Sequence, residues 1–448
     1  MTRRLGFPHP LALLLGCVAL AAALTWVIPA GSYERRDDPV TGRAVVVAGT
    51  YRTVEAAPVG PFQALTAVPR GFIDAASIIA LVFLSGAGFT VVERTGALRR
   101  AVAALTRRLA GRGIVIMGAV ALVFTVAGVV IQMAEELVAF APLLLVLCAA
   151  LGLPPLMAVA VSLGAASVGA MFSPVDPFMV IIAQKAAGVP VGSGWEFRTV
   201  LLAIAVGFWL LTLRQHALAV RSPEPALAAE DTEPLTARQG LVLAIVVLTL
   251  LLFAVGAQQW HWDFDKLAAI FLAMGLLAGL AGGLGVEGTA RTLIDGARDM
   301  TFSALLIGIA RAIYVVLDEG RVVDTLVHAI ATPLDGLPPA VAALGMMGAH
   351  ALIHVPVPST SGHAVLTMPI LAPVSDLIGL QRQVAVLAYQ LGAGLVDLVT
   401  PTSAPLMAML AACGVPYEEW LRWVVPRCLV LVALSVAALA VAVAIGWS

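Results

Sequence analysis

Carboxylates, hydroxyls and prolines stand inside apolar sequence at four places in this chain. Glu135 and Glu136 follow Gln132-Met133-Ala134 within the run 113–151, and Ser173-Pro174-Val175-Asp176-Pro177 interrupts 154–190. Pro356-Val357-Pro358-Ser359-Thr360-Ser361-Gly362-His363 interrupts 339–378, and Asp397 precedes Thr400-Pro401-Thr402-Ser403-Ala404-Pro405 within 384–414. The chemistry on offer is binding rather than bond-making. Proline removes a helix hydrogen bond and clashes with the preceding turn. The half-helix that restarts beyond it presents free amides and a positive dipole end to an anion. Small hydroxyls and open backbone can hold a carboxylate or coordinate Na⁺, and a carboxylate at membrane depth can hold a proton, a cation or an amino group. The candidate substrate contacts are therefore Ser173, Asp176, Ser359, Thr360, Ser361, Gly362, His363, Thr400, Thr402 and Ser403. The candidate ion-coupling groups are Glu135, Glu136, Asp176 and Asp397, with Na⁺ near Ser359 and Thr400 as the alternative to H⁺. Arg311 and Lys185 are the candidate counter-charges, and His354 flanks the third interruption.

Each of these residues also has a structural reading. A proline break can be only a kink. Ser361 is a natural N-cap for the half-helix after it, the glutamates can complement a helix dipole, and an intramembrane histidine can be hydrogen-bonded packing. Two breaks at matching positions, each preceded by a polar tip, favour a binding role. The stretch Gly275 to Gly288 reads as close helix contact, because no phosphate-loop pattern is present. An intramembrane hydrolase using Ser361 and His363 is the rival class. No His-Glu-x-x-His occurs, and Gly-x-Ser-x-Gly is absent around Ser361. A channel is the third option, distinguished from a carrier by the absence of counterflow. No catalytic residue, resident metal or nucleic-acid partner is expected.

The elements that must carry these groups are membrane helices. Charged residues are 12% and hydrophobic residues 60% of the chain, with mean hydropathy +0.99, against about 25% charged in a soluble domain. A net charge of −1 argues against a polyanion-binding protein. The four cysteines stand singly in apolar runs and show no ligand or disulfide spacing.

The chain is written twice. Pro142 falls on Pro369, Pro174 on Pro401, Pro177 on Pro405, Met179 on Met407, and Gly188-Val189-Pro190 on Gly414-Val415-Pro416, at an offset near 227 residues. Repeat 1 covers 1–216, with spans at 11–29 and 75–93, a re-entrant hairpin at 113–151, a broken span at 154–190 and a span at 199–216. The run at 11–29 is too long for a signal-peptide core and reads as a first span. Residues 217–237 form a cytoplasmic linker. Repeat 2 covers 238–448, with spans at 238–256, 267–284 and 302–318, a hairpin at 339–378, a broken span at 384–414 and a span at 422–446. Trp260 and Trp262 suit an interfacial belt.

Orientation follows from basic residues. An arm after the second span carries Arg94, Arg99, Arg100, Arg107, Arg108 and Arg112, whereas its homologue at 320–335 carries only Arg321. The first arm belongs in the cytoplasm, and counting spans puts the second on the opposite face. The expectation is an all-α polytopic membrane protein of two inverted-topology repeats.

Four segments carry a family resemblance: FPHPLALLL…LTWVIPAGSYER near the start, AEELVAFAPLL, PSTSGHAVLTMPILAPVSDLIGLQRQVAVLAYQ and TPTSAPLM. Over nearly its whole length the chain resembles the YfcC-type branch of the C4-dicarboxylate anaerobic carrier family. The resemblance implies a secondary carrier of small carboxylates or amino acids in a bacterial inner membrane. It also implies a homodimeric scaffold with a mobile transport domain moving as an elevator. By position, Ser359, Thr360, Ser361, Thr400, Thr402 and Ser403 would bind the substrate carboxylate and Na⁺. Relatives usually show Lys at position 363, a GDGF…N stretch at 392–397 and Asn-Pro at 176–177. The substitutions here make the site more acidic and favour proton coupling or an amino-bearing substrate. The reading is a secondary active transporter of a small carboxylate, coupled to H⁺ or Na⁺, with an arginine- or ornithine-like amino-acid exchanger as the alternative.

Overall fold

A computed structural model of the protein describes residues 9–38, 43–47, 49–98, 100–101, 113–220, 235–258, 260, 262, 264–334 and 337–448. Arg99, Arg107, Arg108 and Arg112 of the basic arm, residues 221–234 of the linker, and Gln259, His261 and Asp263 lie outside the described residues.

Eighteen described helices carry the fold, and proline places many of their starts. The first half contains α1 (Pro10–Val27), α2 (Pro61–Asp74), α3 (Ala76–Arg94), α4 (Gly113–Ile131), α5 (Ala141–Ala150), α6 (Pro155–Met171), α7 (Pro177–Ala187) and α8 (Trp195–Val220). Between α4 and α5 lies a 3₁₀ segment, Glu135–Phe140. The second half contains α9 (Ala237–Gln258), α10 (Phe264–Ala281), α11 (Gly285–Asp299), α12 (Thr301–Glu319), α13 (Val323–Ala331) and α14 (Pro339–His354). It closes with α15 (Thr360–Leu377), α16 (Arg382–Asp397), α17 (Ala404–Ala412) and α18 (Tyr417–Ala444). Proline at the first or second helical position costs no intrahelical hydrogen bond, because the amides of the first turn have no partner there, and it presets φ. This explains why α2, α5, α6, α7, α14 and α17 start where they do. Six of the helices are long and apolar enough to cross a bilayer.

Helices at corresponding places in the two halves have corresponding neighbours. α4 packs on α6 as α14 packs on α16, and α8 lies on α4 and α6 as α18 lies on α14 and α16. α2 packs on α12 as α11 packs on α3, and α1 packs on α12 as α10 packs on α3. This leaves α9 without an equivalent. Each arm of the expected hairpins packs on other helices more than on its own partner: α4 lies on α6, the 3₁₀ segment on α3, α14 on α16, and α15 on α7. A tip therefore turns without its two arms forming a tight pair.

Glycines set the closest approaches. A Cβ on Gly275 of α10 would stand 2.9 Å from Gly88 Cα of α3, so this pair lets two backbones meet. The expected spans at 154–190 and 384–414 are each two helices, α6 with α7 and α16 with α17.

Two helices and a small β excursion were not anticipated. α2 and α11 are amphipathic and short of apolar length, so neither stands out as a span. After α1 the chain forms two antiparallel pairs. β1 (Gly31–Ser32) pairs with β4 (Arg52–Thr53), and β2 (Arg35–Asp38) with β3 (Arg43–Val46). The excursion lies on α13: Arg35 forms a bidentate pair with Asp324 at 2.7 and 3.0 Å, and Tyr33 N donates to Asp324 Oδ2 at 2.9 Å. Burial and the Asp324 carboxylate push the Tyr33 hydroxyl up to about 12. The start of the first arm lies elsewhere, against α9, where Arg100 donates to Gln239 Oε1 at 3.0 Å.

Candidate functional site

The two tips meet. α4 ends at Ile131, and Gln132 takes φ 49°, a left-handed conformation that a non-glycine residue rarely adopts. Its side-chain oxygen accepts a 3.1 Å hydrogen bond from Thr360 Oγ1 at the start of α15. Tyr389 of α16 donates to the Thr360 carbonyl at 2.6 Å, which fixes that first turn from behind. The N-cap of α15 is Ser359, not Ser361, and its side chain makes no cap bond.

A cavity of about 310 Å³ lies where the tips, α6, α12 and the second break converge. Glu135, Glu136, Ser359, Thr360, Ser361, Asp397 and Ser403 line it, as does Arg311 from the middle of α12. Arg311 is paired with Asp74 at the end of α2. A vestibule of about 640 Å³ adjoins the cavity and shares Arg311, Pro358 and Ser359 with it. Arg35, Arg52, Arg321, Asp318, Asp324 and Gly362 line the vestibule, with Arg35 paired to Asp324.

The two breaks differ in how their restarted helices are capped. At the first, Asp176 Oδ1 accepts from the amides of Phe178 and Met179 at 2.8 and 2.6 Å. Ser173 Oγ accepts from the amides of Val175 and Asp176 and donates to the Val129 carbonyl. The positive end of α7 is thus already complemented by a carboxylate of its own chain. At the second break Ser403, the N-cap of α17, makes no side-chain cap bond and lines the cavity beside Pro405. α15 and α17 are therefore the helix starts that present amides to the cavity without a carboxylate cap.

Several sequence-derived candidates stand away from the cavity wall. Ser173 and Asp176 are buried in the first break. Thr400 and Thr402 bond to each other at 2.8 Å, and Thr402 donates to the Val355 carbonyl at 2.6 Å, so these hydroxyls tie the second break to the end of α14. His363 lies behind the cavity, with Nε2 on His350 Nδ1 and Nδ1 on His354 Nδ1. Both its nitrogens are engaged, so it is not placed to serve Ser361 as a base. Lys185 is half-buried at the end of α7, beside Arg36 and Arg382, not at the cavity.

Sequence reasoning missed three residues. Asp74 pairs with Arg311 from a helix that was not foreseen. Arg198, in the first turn of α8, is fully buried: its Nε donates to Gln390 Oε1 at 3.0 Å and its guanidinium lies over Trp447. Gln390 in turn donates to the carbonyls of Ala170 and Ser173, bracing the first break from behind. His350 joins His354 and His363, and the i, i+4 spacing of His350 and His354 was the signal that could have found it.

Interrupted helices gathered around a polar cavity, in a multi-pass helical protein, are the architecture of a transporter. The chain belongs to the C4-dicarboxylate anaerobic carrier family, whose model matches residues 7–445. It is similar to YfcC of Escherichia coli (strain K12), provisionally described as a basic amino acid antiporter, with 33% identity over 94% of this chain and 93% of YfcC. It is also similar to an uncharacterised protein of Haemophilus influenzae, with 28% identity over 95% of each chain. Among solved structures, the Alcanivorax borkumensis YdaH transporter aligns with a TM-score of 0.46 at 18% identity, over 98% of this chain and 99% of that one. Neisseria gonorrhoeae MtrF aligns with a TM-score of 0.43 at 17% identity, over 98% and 96%. The chain is a multi-pass membrane transporter.

Proposed function

We propose that this protein is a secondary active carrier of small carboxylate-bearing molecules, working by alternating access to the cavity between the tips. The observation that carries this reading is the division of charge in that cavity. Arg311 and the starts of α15 and α17 suit a carboxylate, while Glu135, Glu136 and Asp397 lie within the same small volume. A simple dicarboxylate would set both its carboxylates against three carboxyl groups there. An amino acid would not, because its amino group can answer Glu135, Glu136 or Asp397 while its carboxylate takes the helix starts and Arg311. That favours the amino-acid reading within the carboxylate class, and the description of YfcC as a basic amino acid antiporter points the same way. C4-dicarboxylate transport is the second reading, favoured by the family description and the arginine-lined vestibule.

The duplicated packing supports two repeats, and the arms' different neighbours support an inverted relation between them. The start of the first arm contacts α9 beside the linker, whereas α13 contacts the β excursion one helix beyond the N-terminus. We place the linker on the cytoplasmic face of a bacterial inner membrane and the vestibule on the opposite face, in a homodimeric elevator. Proton coupling is favoured over Na⁺, because Asp397 opens on the cavity while the Thr400 hydroxyl is engaged by Thr402.

Reconstituted protein, assayed with labelled arginine and labelled succinate under separate pH and Na⁺ gradients, tests the proposal. Gradient-driven uptake and counterflow of arginine support it. Counterflow of succinate alone moves the substrate to the second reading, and flux without counterflow would sink the carrier mechanism.

A further inference from the structure

A further pocket, of about 330 Å³, lies apart from the carrier cavity, where the β excursion meets α7 and α15. Three cations from three elements line it: Arg36 of β2, Lys185 in the last turn of α7 and Arg382 at the start of α16. Val46 of β3 and Pro369 and Pro373 of α15 supply apolar wall, and among the described residues no carboxylate lines it. Arg35 and Arg36 are neighbours on β2, and successive side chains on a strand point to opposite faces. Arg35 accordingly lines the vestibule on Asp324, and Arg36 lines this pocket.

The charges of this pocket do not balance internally. Arg382 gives Nε and Nη2 to the Asp376 carboxylate and Nη1 to the Ala187 carbonyl at 2.7 Å. A guanidinium has five N–H donors, so two remain after these three are used. Arg36 and Lys185 have no ion-pair partner among the described residues. The acids beside Arg36 do not answer it. Asp37 alternates to the other face of β2, and Asp38 stands opposite Arg43 in the ladder register. Like charges drawn into one concavity repel each other and focus a positive potential, which an anion relieves.

We propose that this pocket is a binding site for a phosphate monoester or inorganic phosphate. A carboxylate has two oxygens in one plane, enough for two of the three cations. A phosphate with three unesterified oxygens can serve Arg36, Lys185 and the remaining Arg382 donors together, and near pH 7 it carries about −1.5 to −2 charge. The volume falls at the lower end of small-molecule pockets, about 300–1,000 Å³. It leaves room for a small organic group on the phosphate, packed against Pro369 and Pro373. The phosphate comes either from solution or from the monoester headgroup of phosphatidic acid.

Occupancy joins parts of the molecule that are otherwise held separately. The excursion is anchored on α13 through Arg35 and Asp324, and β3 lies along α15. Val46 of β3 lines both this pocket and the vestibule, so this strand is the partition between them. A phosphate drawing Arg36 towards Lys185 and Arg382 fastens the excursion to α7 and α16 and holds that partition in place. None of this depends on what the cavity between the tips carries.

The test is thermal unfolding of the full-length protein in phosphatidylcholine nanodiscs, titrated with inorganic phosphate and, at equal ionic strength, with acetate. Phosphate should raise the melting temperature and acetate should not, because a ligand that binds only the folded state stabilises it. Arg36→Gln and Lys185→Gln should each shift the phosphate response to at least about tenfold higher concentration. Lys185→Arg should keep most of it. Arg36 is exposed and Lys185 half-buried, so the phosphate-free melting temperatures should stay close to wild type and serve as the folding control. Hydrogen exchange at residues 35–38 and 43–46 should slow with phosphate in the wild type and not in Lys185→Gln, although Lys185 lies outside those segments. Nanodiscs containing phosphatidic acid separate the two sources. Protein already stabilised there and indifferent to added phosphate assigns the site to the lipid headgroup, and an unaltered response assigns it to the soluble anion. A phosphate response no larger than that to acetate, with no stabilisation by phosphatidic acid, would overturn the site. So would a response that survives both Gln substitutions together. Binding without slowed exchange would overturn the tie between the excursion and α7.

Discussion

Thr360 and Gln132, from opposite halves of the chain, are joined by a 3.1 Å hydrogen bond between their side chains. Gln132 makes this contact from a left-handed backbone conformation, which costs a non-glycine residue on the order of 1–3 kcal/mol. Such strain persists where the surrounding structure over-determines it, and here it aims the amide at the other tip. Alternating access requires the tips to part in at least one state. In a background lacking Cys17, Cys148, Cys413 and Cys428, Gln132→Cys with Thr360→Cys should react with a short bifunctional thiol reagent, and the cross-link should stop transport. Cross-linked protein that transports at the uncross-linked rate would contradict a gate at this contact.

Arg311 is the cation shared by the vestibule and the cavity, and among the described residues it is paired with Asp74. Arg311→Gln should raise the half-saturating concentration of a carboxylate substrate at least tenfold, about 1.4 kcal/mol. Arg311→Lys should restore little, because a single ammonium cannot serve Asp74 and a substrate through a planar fork. Asp74→Asn should have a smaller effect, since the guanidinium remains. Concentration-dependent uptake in proteoliposomes separates the three variants.

The helix interruptions were legible because proline, paired carboxylates and clustered hydroxyls are improbable inside apolar sequence without a purpose. Which of those groups reach the cavity was not legible. Ser173, Asp176, Thr400 and Thr402 have the right chemistry, yet they satisfy backbone groups that the breaks leave open. A linear sequence does not say whether a hydroxyl answers its own chain or a ligand. α2 and α11 escaped notice because their polar faces dilute the apolar signal, and Asp74 escaped with α2. Arg198 looked like an ordinary helix-start residue at the membrane surface. Its burial follows from the way α16 and Trp447 close over it, which is a tertiary fact. The contacts of His363 with His350 and His354 likewise depend on α14 and α15 meeting, and only the spacing of His350 and His354 is local.

The inverted relation of the repeats is tested by accessibility. Thr236 lies just before α9, near Arg100 and the linker, and Arg321 lies between α12 and α13 beside the β excursion. Both are exposed. In the background without native cysteines, Thr236→Cys should react with a membrane-impermeant thiol reagent only from the cytoplasmic side, and Arg321→Cys only from the opposite side. Labelling of both from one side would remove the inverted-repeat model.

The last prediction concerns acid stability outside the membrane. Arg382 grips Asp376 with Nε at 2.9 and 3.0 Å from its two oxygens, and with Nη2 at 2.5 Å. Its Nη1 donates to the Ala187 carbonyl at 2.7 Å, so the pair ties the α15–α16 turn to the end of α7. The hydrogen bonds from Arg382 hold the Asp376 carboxyl below the usual carboxylate range. A carboxyl whose pKa is depressed by folding stabilises the fold above its unfolded value, near 4, and loses that contribution as pH falls through the lower folded value. Wild-type melting temperature should therefore decline on acidification below about pH 4 more than that of Asp376→Asn. The difference should be small, under about 1 kcal/mol, because both partners are largely open to solvent. High salt should shrink it further, since exposed charges are screened over about 10 Å at 0.1 M. A thermal-shift series across pH and salt reads this, and identical profiles for the two proteins would show that the pair contributes nothing to the fold.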